Sequence, residues 1–313
     1  MTLLATAAGH ARTVWAEVGW GMPAEPPCRP FRVTLQDPVM GPVVLSGRFG
    51  DVPGTDTVVV IVPGITGTAT SRYCIPAAWA AHRAGFAHLR IGMRGTDRTG
   101  EDIWHGGLTE DLRAACASTE LARFDRILLF GYSVGGHVSL RAAVERIDPR
   151  LCAVAAVCPP LDLDRGTSIF DQLAQRPYRD HILGALDEIY AATAARRPLP
   201  VPLAEVRRAR SSRERDALAI APRFGFASAE AYYEAASVGP LLDRLAIPAL
   251  CVAALHDPIV PPRAIAPSLA AARRAIDVRW VPGGHLAFPA SLDLGFCDRP
   301  GIAPQVVSWL ARA

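Results

Sequence analysis

The chain has 313 residues, of which 50% are hydrophobic and 20% charged, and 33 basic against 30 acidic residues give it a net charge of +3. This composition supports a large buried core and excludes global disorder. Basic and acidic residues are interspersed, so we expect no nucleic acid partner and favour a small-molecule substrate. The seven cysteines are spread without a Cys-x-x-Cys pair, which argues against a disulfide framework and against a zinc site.

Strand-like and helical patterns alternate through the first half of the chain. Residues 57–62 form a β-branched run that ends at Pro63-Gly64, which predicts a central strand covered on both faces. The alternation predicts a mostly parallel, doubly wound sheet with ligands at the carboxyl ends of its strands. The predicted strands of this half are residues 31–35, 43–49, 57–62, 87–91, 126–130 and 151–157, and the predicted helices are residues 75–84, 109–121 and 136–145.

The alternation is interrupted by residues 161–238, which are helical in pattern, rich in arginine and free of long β-branched runs. We interpret this segment as a helical cap over the top edge of the sheet. The alternation resumes with predicted strands at 249–255 and 278–281 and predicted helices at 265–272 and 304–312. We therefore expect a lead segment (1–30), a core (31–160 and 239–313) and the cap (161–238).

No apolar run reaches the roughly 18 residues that a membrane span needs, and no signal-like apolar region follows basic residues near the first methionine. We therefore expect a cytoplasmic protein without stable membrane insertion, metal or cofactor. The sequence leaves the oligomeric state open.

One motif carries chemistry at a strand-to-helix junction. Gly131-Tyr132-Ser133-Val134-Gly135 follows the predicted strand 126–130 and matches G-x-S-x-G. The small residues on both sides of the serine allow the sharp turn of a nucleophile elbow. Ser133 is therefore the candidate nucleophile.

A serine hydroxyl needs a base within reach and a third group that orients the base. His285 follows the strand near 278–281 and is the candidate base. Asp257 follows the strand 249–255 and is the candidate acid, in the chain order serine, acid, histidine. Asp162, which follows the strand 151–157, is an alternative acid. The oxyanion of a tetrahedral intermediate also needs backbone N–H donors.

The oxyanion donors are predicted from position. One is the N–H of Val134, the residue after the nucleophile, and the other is the N–H of Ile65 in the loop 63–67 that follows the central strand.

At these residues the chain resembles the α/β-hydrolases, and within them the YheT-like subgroup, which includes medium-chain ester synthases and hydrolases and some phospholipases. The resemblance runs from about residue 57 to 288. Its specific part lies in Arg94-Gly95, in residues 104–112, which are similar to a Tyr-His-Ser-Gly-x-Thr-x-Asp stretch, and in residues 224–233, which are similar to a G-F-x-x-x-x-x-Y-Y stretch.

Three positions depart from the pattern of the subgroup: Pro63 replaces the usual histidine of the oxyanion loop, Gly106 a serine, and Ala287 a glycine. These departures bear on substrate preference more than on the three candidate catalytic residues. The resemblance implies an α/β-hydrolase fold with a cap.

Candidate pocket residues lie in the loop 92–107 and in the cap. His105 follows the carboxyl end of a strand and is a candidate for the mouth of the site, although a structural loop histidine is the favoured interpretation of that position. Phe170 and Tyr190 recur at helical spacing and are candidate walls of an acyl pocket, or residues that fix the cap to the core. We interpret an arginine-rich run at 207–215 as a solvated helix face, and the alternative is a site for an anionic head group or coenzyme A.

These observations predict a serine hydrolase that cleaves carboxylic esters through an acyl-serine intermediate. The resemblance to the subgroup points to a medium acyl chain. An alcohol O-acyltransferase with the same three residues, and a catalytically silent hydrolase fold that binds a ligand, are the alternatives.

Overall fold

The computed structural model describes residues 9–11, 13, 22–272 and 274–313, so most of the predicted lead segment up to residue 21 lies outside the described residues. The strands are β1 (Arg29–Asp37), β2 (Gly41–Gly50), β3 (Thr57–Val62), β4 (Ala87–Ile91), β5 (Arg126–Tyr132), β6 (Leu151–Val157), β7 (Ala249–Ala254) and β8 (Asp277–Val281). They form one sheet in the order β1-β2-β4-β3-β5-β6-β7-β8. The β1–β2 and β2–β4 pairs are antiparallel, and the other pairs are parallel.

Helices connect the parallel strands. They are α1 (Cys74–Arg83), α2 (Glu110–Cys116), α3 (Val134–Val144), α4 (Leu163–Phe170), α5 (Arg176–Ala194), α6 (Leu203–Val206), α7 (Ser212–Leu218), α8 (Ile220–Phe224), α9 (Ala229–Ala236), α10 (Pro262–Ala271) and α11 (Ile302–Arg312). Among the described residues, none of the helices combines the length and the apolar character that a bilayer crossing requires.

The sheet is buried on both faces, as the β-branched run at 57–62 predicts. Val58 and Val60 of β3 face a core that includes α2, α3 and α10, whereas Val59 and Ile61 face a core that includes α1 and α11. All six residues of β3 are buried. The mostly parallel, doubly wound sheet expected from the sequence is therefore confirmed.

One predicted helix is wrong in length. The pattern predicts a helix over 109–121, but α2 ends at Cys116. The Ser118 hydroxyl donates to the Ala115 carbonyl at 2.7 Å and takes up an acceptor that the next helical turn would use. Serine competes with the helical backbone in this way, and the pattern of apolar residues does not reveal it.

The segment between β6 and β7 contains α4 to α9 and no strand among its residues, all of which are described. Its helices share a third apolar core, which contains Ile189 and Tyr190 of α5 and Tyr232 and Tyr233 of α9. We keep the name cap for residues 161–238. The cap boundaries themselves stay a prediction.

A buried ionic cluster joins the cap to the core. Arg94, just after β4, donates to Asp111 of α2 at 2.8 Å and to Asp37 of β1 at 2.7 Å. Arg223 of α8 donates to the same Asp37 and to Asp102, in each case at 3.0 Å. Both arginines are at least 94% buried, with exposed fractions of 1% and 6%. Each charge is paired, which is the condition under which charges are tolerated in a protein interior.

The buried side chain of His137 lies between the two ends of the cap. The ring nitrogens of His137, on α3, lie 2.6 Å from the Pro160 carbonyl oxygen and 2.9 Å from that of Ala236. Pro160 immediately precedes the cap and Ala236 ends its last helix. The same core side chain therefore contacts both connections of the cap.

We expect Arg223→Met to lower the free energy of unfolding by about 3 kcal/mol or more, because it leaves the buried carboxylates of Asp37 and Asp102 with one cation fewer. The measurement is urea denaturation followed by circular dichroism. Arg176→Met is the matched control, since Arg176 is exposed and pairs with Asp180 on the surface of one helix, where loss of a pair costs about 0.5 kcal/mol or less. Equal losses in the two variants would contradict a special role for the buried cluster.

Candidate active site

Ser133 occupies a strained turn between β5 and α3. Its φ of +51° with ψ of −125° is a conformation that residues other than glycine rarely adopt. Glycines make the turn possible, because a Cβ on Gly131 would collide with the backbone of Gly135 and Gly136, and one on Gly135 would collide with the Pro63 carbonyl oxygen. The strand and the helix therefore approach closely and hold the serine hydroxyl at the end of the sheet.

The side chains of Ser133, His285 and Asp257 lie in one hydrogen-bonded chain. His285 Nε2 is 3.0 Å from Ser133 Oγ, and His285 Nδ1 is 2.8 Å from Asp257 Oδ2. When Nδ1 carries the proton and donates it to the carboxylate, the lone pair of Nε2 faces the serine hydroxyl. All three side chains are largely shielded from solvent. The arrangement can accept a proton from the serine hydroxyl.

The carboxylate of Asp257 is fixed by its own loop. The backbone N–H groups of Ile259 and Val260 both donate to its Oδ1 at 2.8 Å, which leaves Oδ2 for His285. Asp162 is occupied elsewhere, because it is the N-cap of α4 and accepts from the Arg165 N–H at 2.9 Å. Of the two aspartates that the sequence offers, the structure brings Asp257 to the histidine.

A contact that sequence reasoning missed holds the histidine loop from the N-terminal side. The N–H of His285 donates to Thr13 Oγ1 at 2.9 Å, and the Thr13 hydroxyl donates to the Gly9 carbonyl at 2.9 Å. Thr13 and His285 are 272 positions apart. No local sequence pattern indicates a contact between residues so far apart. The sequence predicts a separate lead segment that contains Thr13 and Gly9, so the predicted site does not include them.

Cys158 lies beside the same chain, and one ligand atom each from Cys158, Asp257 and His285 lie within 4.8 Å of one another. Burial raises the pKa of the Cys158 thiol well above its usual range, so the thiol is protonated and a poor metal ligand. A metal ion there would also have to break the hydrogen bond between His285 and Asp257. The donor set therefore fits a hydrogen-bonded triad better than a metal centre.

The loop after β3 lies against the serine. A Cβ on Gly64 would lie 3.3 Å from Ser133 Cβ. The indole N–H of Trp104 donates to the Ile65 carbonyl at 3.1 Å and so fixes the peptide that follows Ile65. Val134 is the first residue of α3, so its N–H has no acceptor within the helix. Among the described residues, the Ile65 N–H also makes no hydrogen bond, and the role of these two N–H groups as oxyanion donors stays a prediction.

A cavity of about 650 Å³ opens onto Ser133 and His285. Its wall is mainly apolar and includes Trp104, Leu163 and Leu186. The volume is in the range of sites that enclose one small organic molecule. It lies between the carboxyl ends of the strands and the cap, where the fold predicts a ligand.

The three candidate pocket residues have different positions. Phe170 and His105 line the cavity, whereas Tyr190 does not. Tyr190 is fully buried within the cap, and its hydroxyl donates to the Val201 carbonyl at 2.6 Å, so the prediction that it forms a pocket wall is wrong. Helical spacing could not separate a residue facing the cavity from one facing the core of the cap.

His105 is surrounded by aromatic rings. Its ring centroid lies 4.5 Å from that of Phe224 and 5.3 Å from that of Tyr232, and its Nδ1 accepts from the Gly107 N–H at 3.1 Å. Burial lowers its pKa to about 3, so the ring is neutral at ordinary pH. These contacts suit a neutral wall residue rather than a proton carrier.

Residues 57–290 match the family model described as alpha/beta hydrolase fold, and they make up most of the chain. The chain belongs to this family. The resemblance drawn from the elbow, the oxyanion loop and the order of the candidate residues is thereby confirmed. This alpha/beta hydrolase is 31% identical over 215 residues to the Escherichia coli (strain K12) protein named "Putative esterase YheT", an alignment that covers 64% of this chain and 61% of the relative.

A more distant relative extends the similarity. The hydrolase is 24% identical over 278 residues to the Embryogenesis-associated protein EMB8 of Picea glauca, covering 83% of this chain and 59% of the relative. The chain thus spans about three fifths of the length of these two relatives.

Solved structures support the fold. An esterase of Pyrococcus furiosus, Pf2001, is similar with a TM-score of 0.56 and 15% sequence identity, covering 94% of this hydrolase and 96% of that chain. The protein AbyA5 is similar with a TM-score of 0.54 and 17% identity, covering 89% and 66% of the two chains. At these identities the similarity concerns the fold of the hydrolase alone.

Proposed function

We propose that this hydrolase is a serine esterase that cleaves carboxylic esters through an acyl-Ser133 intermediate. The observation that carries the proposal is the hydrogen-bonded chain from Ser133 Oγ through His285 to Asp257 at a strained elbow. This is the arrangement of nucleophile, base and orienting acid that activates a serine hydroxyl. The relatives that are named as esterases support the choice of an ester bond.

In the proposed reaction, Ser133 Oγ attacks the ester carbonyl carbon while its proton passes to His285 Nε2. The N–H groups of Ile65 and Val134 donate to the oxygen that becomes negative. The tetrahedral intermediate then expels the alcohol, which takes the proton from His285. Water, deprotonated by the same nitrogen, attacks the acyl-serine and releases the carboxylic acid. Asp257 keeps the ring of His285 in the orientation that both steps need.

The acyl chain is proposed to occupy the cavity beneath the cap. An apolar cavity of about 650 Å³ suits an acyl group of medium length. Each methylene that leaves water is worth about 0.8 kcal/mol, so selectivity should rise with chain length until the cavity is filled.

A fluorophosphonate probe tests the nucleophile directly, because it phosphonylates a serine that a base activates. We expect one adduct, on the peptide that contains Ser133, and none in heat-denatured protein or in Ser133→Ala. An adduct at a different serine, or ester turnover without any adduct, would refute the proposal. A folded protein with neither adduct nor turnover would support a silent binding protein instead.

We expect Phe170→Ala to shift the preferred acyl length of p-nitrophenyl esters towards longer chains, because Phe170 lines the cavity. Short-chain turnover should change little, since the triad is elsewhere. The measurement is kcat/KM over a graded series of esters. Phe226→Ala is the matched control, a half-buried cap phenylalanine that does not line the cavity. The two variants giving the same length profile as the wild type would show that Phe170 only supports the cap.

A further inference from the structure

The wall of the cavity that belongs to the cap carries polar groups that the proposed ester chemistry does not use. Arg215 and Asp216 of α7, Tyr233 of α9 and Thr167 of α4 line the cavity together with its apolar residues. In a mainly apolar cavity, a few placed polar groups fix the orientation of a ligand and decide which ligand is accepted. We call these four residues the polar end of the cavity.

Asp216 has acceptor capacity that the protein does not fill. It is half-buried, and the Tyr233 hydroxyl donates to its Oδ2 at 2.7 Å. Within the part of the chain that the structure describes, this is the one hydrogen bond to its carboxylate. A carboxylate offers about four acceptor positions. Burial raises the pKa of Asp216 to about 6, against the opposing effect of the Tyr233 hydrogen bond, so the group is ionised at pH 7 and above.

Arg215 presents a matching donor. Its side chain is 5% exposed, and its Nη2 donates to the Leu186 carbonyl at 2.9 Å. Its Nε is buried 3.5 Å from Asp187 Oδ1, whereas its Nη1 makes no hydrogen bond within the described residues. Because Arg215 lines the cavity, its Nη1 can donate to a ligand oxygen there.

Helix α5 relates the polar end to the reacting atoms. Near the start of α5, the Tyr178 hydroxyl lies 2.8 Å from His10 Nδ1. His10 is close in sequence to Thr13, which accepts a hydrogen bond from the N–H of His285. Tyr178 and Leu186 are eight residues apart on α5, which corresponds to about 12 Å along a helix. A medium acyl chain attached to Ser133 has a comparable length, so its far end can reach the polar end of the cavity.

We propose that the polar end binds a hydroxyl group at the far end of the acyl chain, so that the preferred substrates are esters of hydroxylated medium-chain acids. This inference rests on the proposed function. A hydroxyl both donates and accepts, so one group can donate to Asp216 and accept from Arg215. It also carries no charge of its own.

Charged ends fit less well. An ammonium group would meet the guanidinium of Arg215, which lines the cavity beside Asp216. A terminal carboxylate would meet Asp216. Both encounters place like charges near each other in a site with little water, where their repulsion is strong.

The experiment compares kcat/KM for two esters of equal chain length, one with a terminal hydroxyl on the acyl chain and one without. We expect the wild type to prefer the hydroxylated ester by about tenfold to a hundredfold, the effect of a hydrogen bond to a charged group. Asp216→Leu should abolish the preference. Asp216→Asn, which keeps an acceptor but loses the charge, should show a smaller preference that is still above that of Asp216→Leu. Asp180→Asn, on the exposed face of α5, is the matched control and should keep the wild-type ratio.

Each outcome is decisive. Equal kcat/KM values for the two esters in the wild type would overturn the inference, and this comparison stands even if Asp216→Leu does not fold. A wild-type preference that survives in folded Asp216→Leu would also overturn it. Esters of the same chain length that end in an ammonium or a carboxylate group are measured in the same way, and a stronger preference for either of them would overturn the assignment of a hydroxyl. Failure of the proposed function has a different signature, namely no turnover of any ester and no probe adduct at Ser133.

Discussion

Replacement of Ser133 by alanine is expected to lower kcat for ester hydrolysis by about 10⁴-fold to 10⁶-fold, the range found when a triad nucleophile is removed. The reason is geometric: Oγ is the atom 3.0 Å from His285 Nε2, and alanine leaves nothing to be deprotonated and acylated. The measurement is steady-state hydrolysis of a medium-chain p-nitrophenyl ester. The melting temperature should stay near that of the wild type, since only one hydroxyl is lost.

Ser139→Ala is the matched control for this variant. Ser139 is buried on α3, and its hydroxyl donates to the Gly135 carbonyl at 2.7 Å, so it shares the helix and the burial of Ser133 without facing His285. Its kcat should fall by less than tenfold. A Ser133→Ala variant that keeps a tenth or more of the wild-type kcat would exclude the acyl-serine mechanism.

The second large effect is expected from Asp257→Asn, which should lower kcat by about 10⁴-fold. The single oxygen of the asparagine amide accepts from the N–H groups of Ile259 and Val260, so its NH₂ group faces His285 Nδ1. An NH₂ group cannot accept a hydrogen bond from Nδ1, so the histidine tautomer that activates Ser133 is no longer favoured. The measurement is kcat on the same ester, with circular dichroism to verify the fold.

Asp162→Asn provides the comparison, because the sequence offered both aspartates as the acid. As the N-cap of α4, Asp162 accepts from the backbone, and asparagine does this about as well. Activity and stability should therefore remain near the wild-type values. The opposite ranking of the two variants would assign the acid role to Asp162.

Much of the sheet and the elbow followed from the sequence because the relevant signals are local. The run of β-branched residues at 57–62 predicts a strand that is buried on both faces. The glycines around Ser133 indicate a turn that has no space for side chains. Asp257 and His285 were predictable because each comes directly after a strand of a parallel sheet, and such strand ends converge.

The parts that escaped prediction depend on contacts between distant segments. Thr13 and His285 are brought together by the completed fold, and nothing in the sequence around either residue encodes the pairing. Tyr190 and Phe170 both lie on amphipathic stretches, but which apolar face meets the cavity is decided by how the cap helices pack. For the same reason Arg215, part of an arginine run that reads as a solvated surface, is 4% exposed.

The ionic cluster of Arg94 and Arg223 ties helix α8 of the cap to strand β1 of the core. Arg223 cannot leave Asp37 and Asp102 without exposing a buried charge on each side, and His137 contacts both connections of the cap as well. In native-state hydrogen exchange, the amides of α8 should therefore open together with those of β1. Substrate entry should therefore not involve the lifting of α8 away from β1. A chimera that carries the cap of a related hydrolase on this core would therefore also need carboxylates in the core that pair with the arginine of the new cap, as Asp37 and Asp102 pair with Arg223 here.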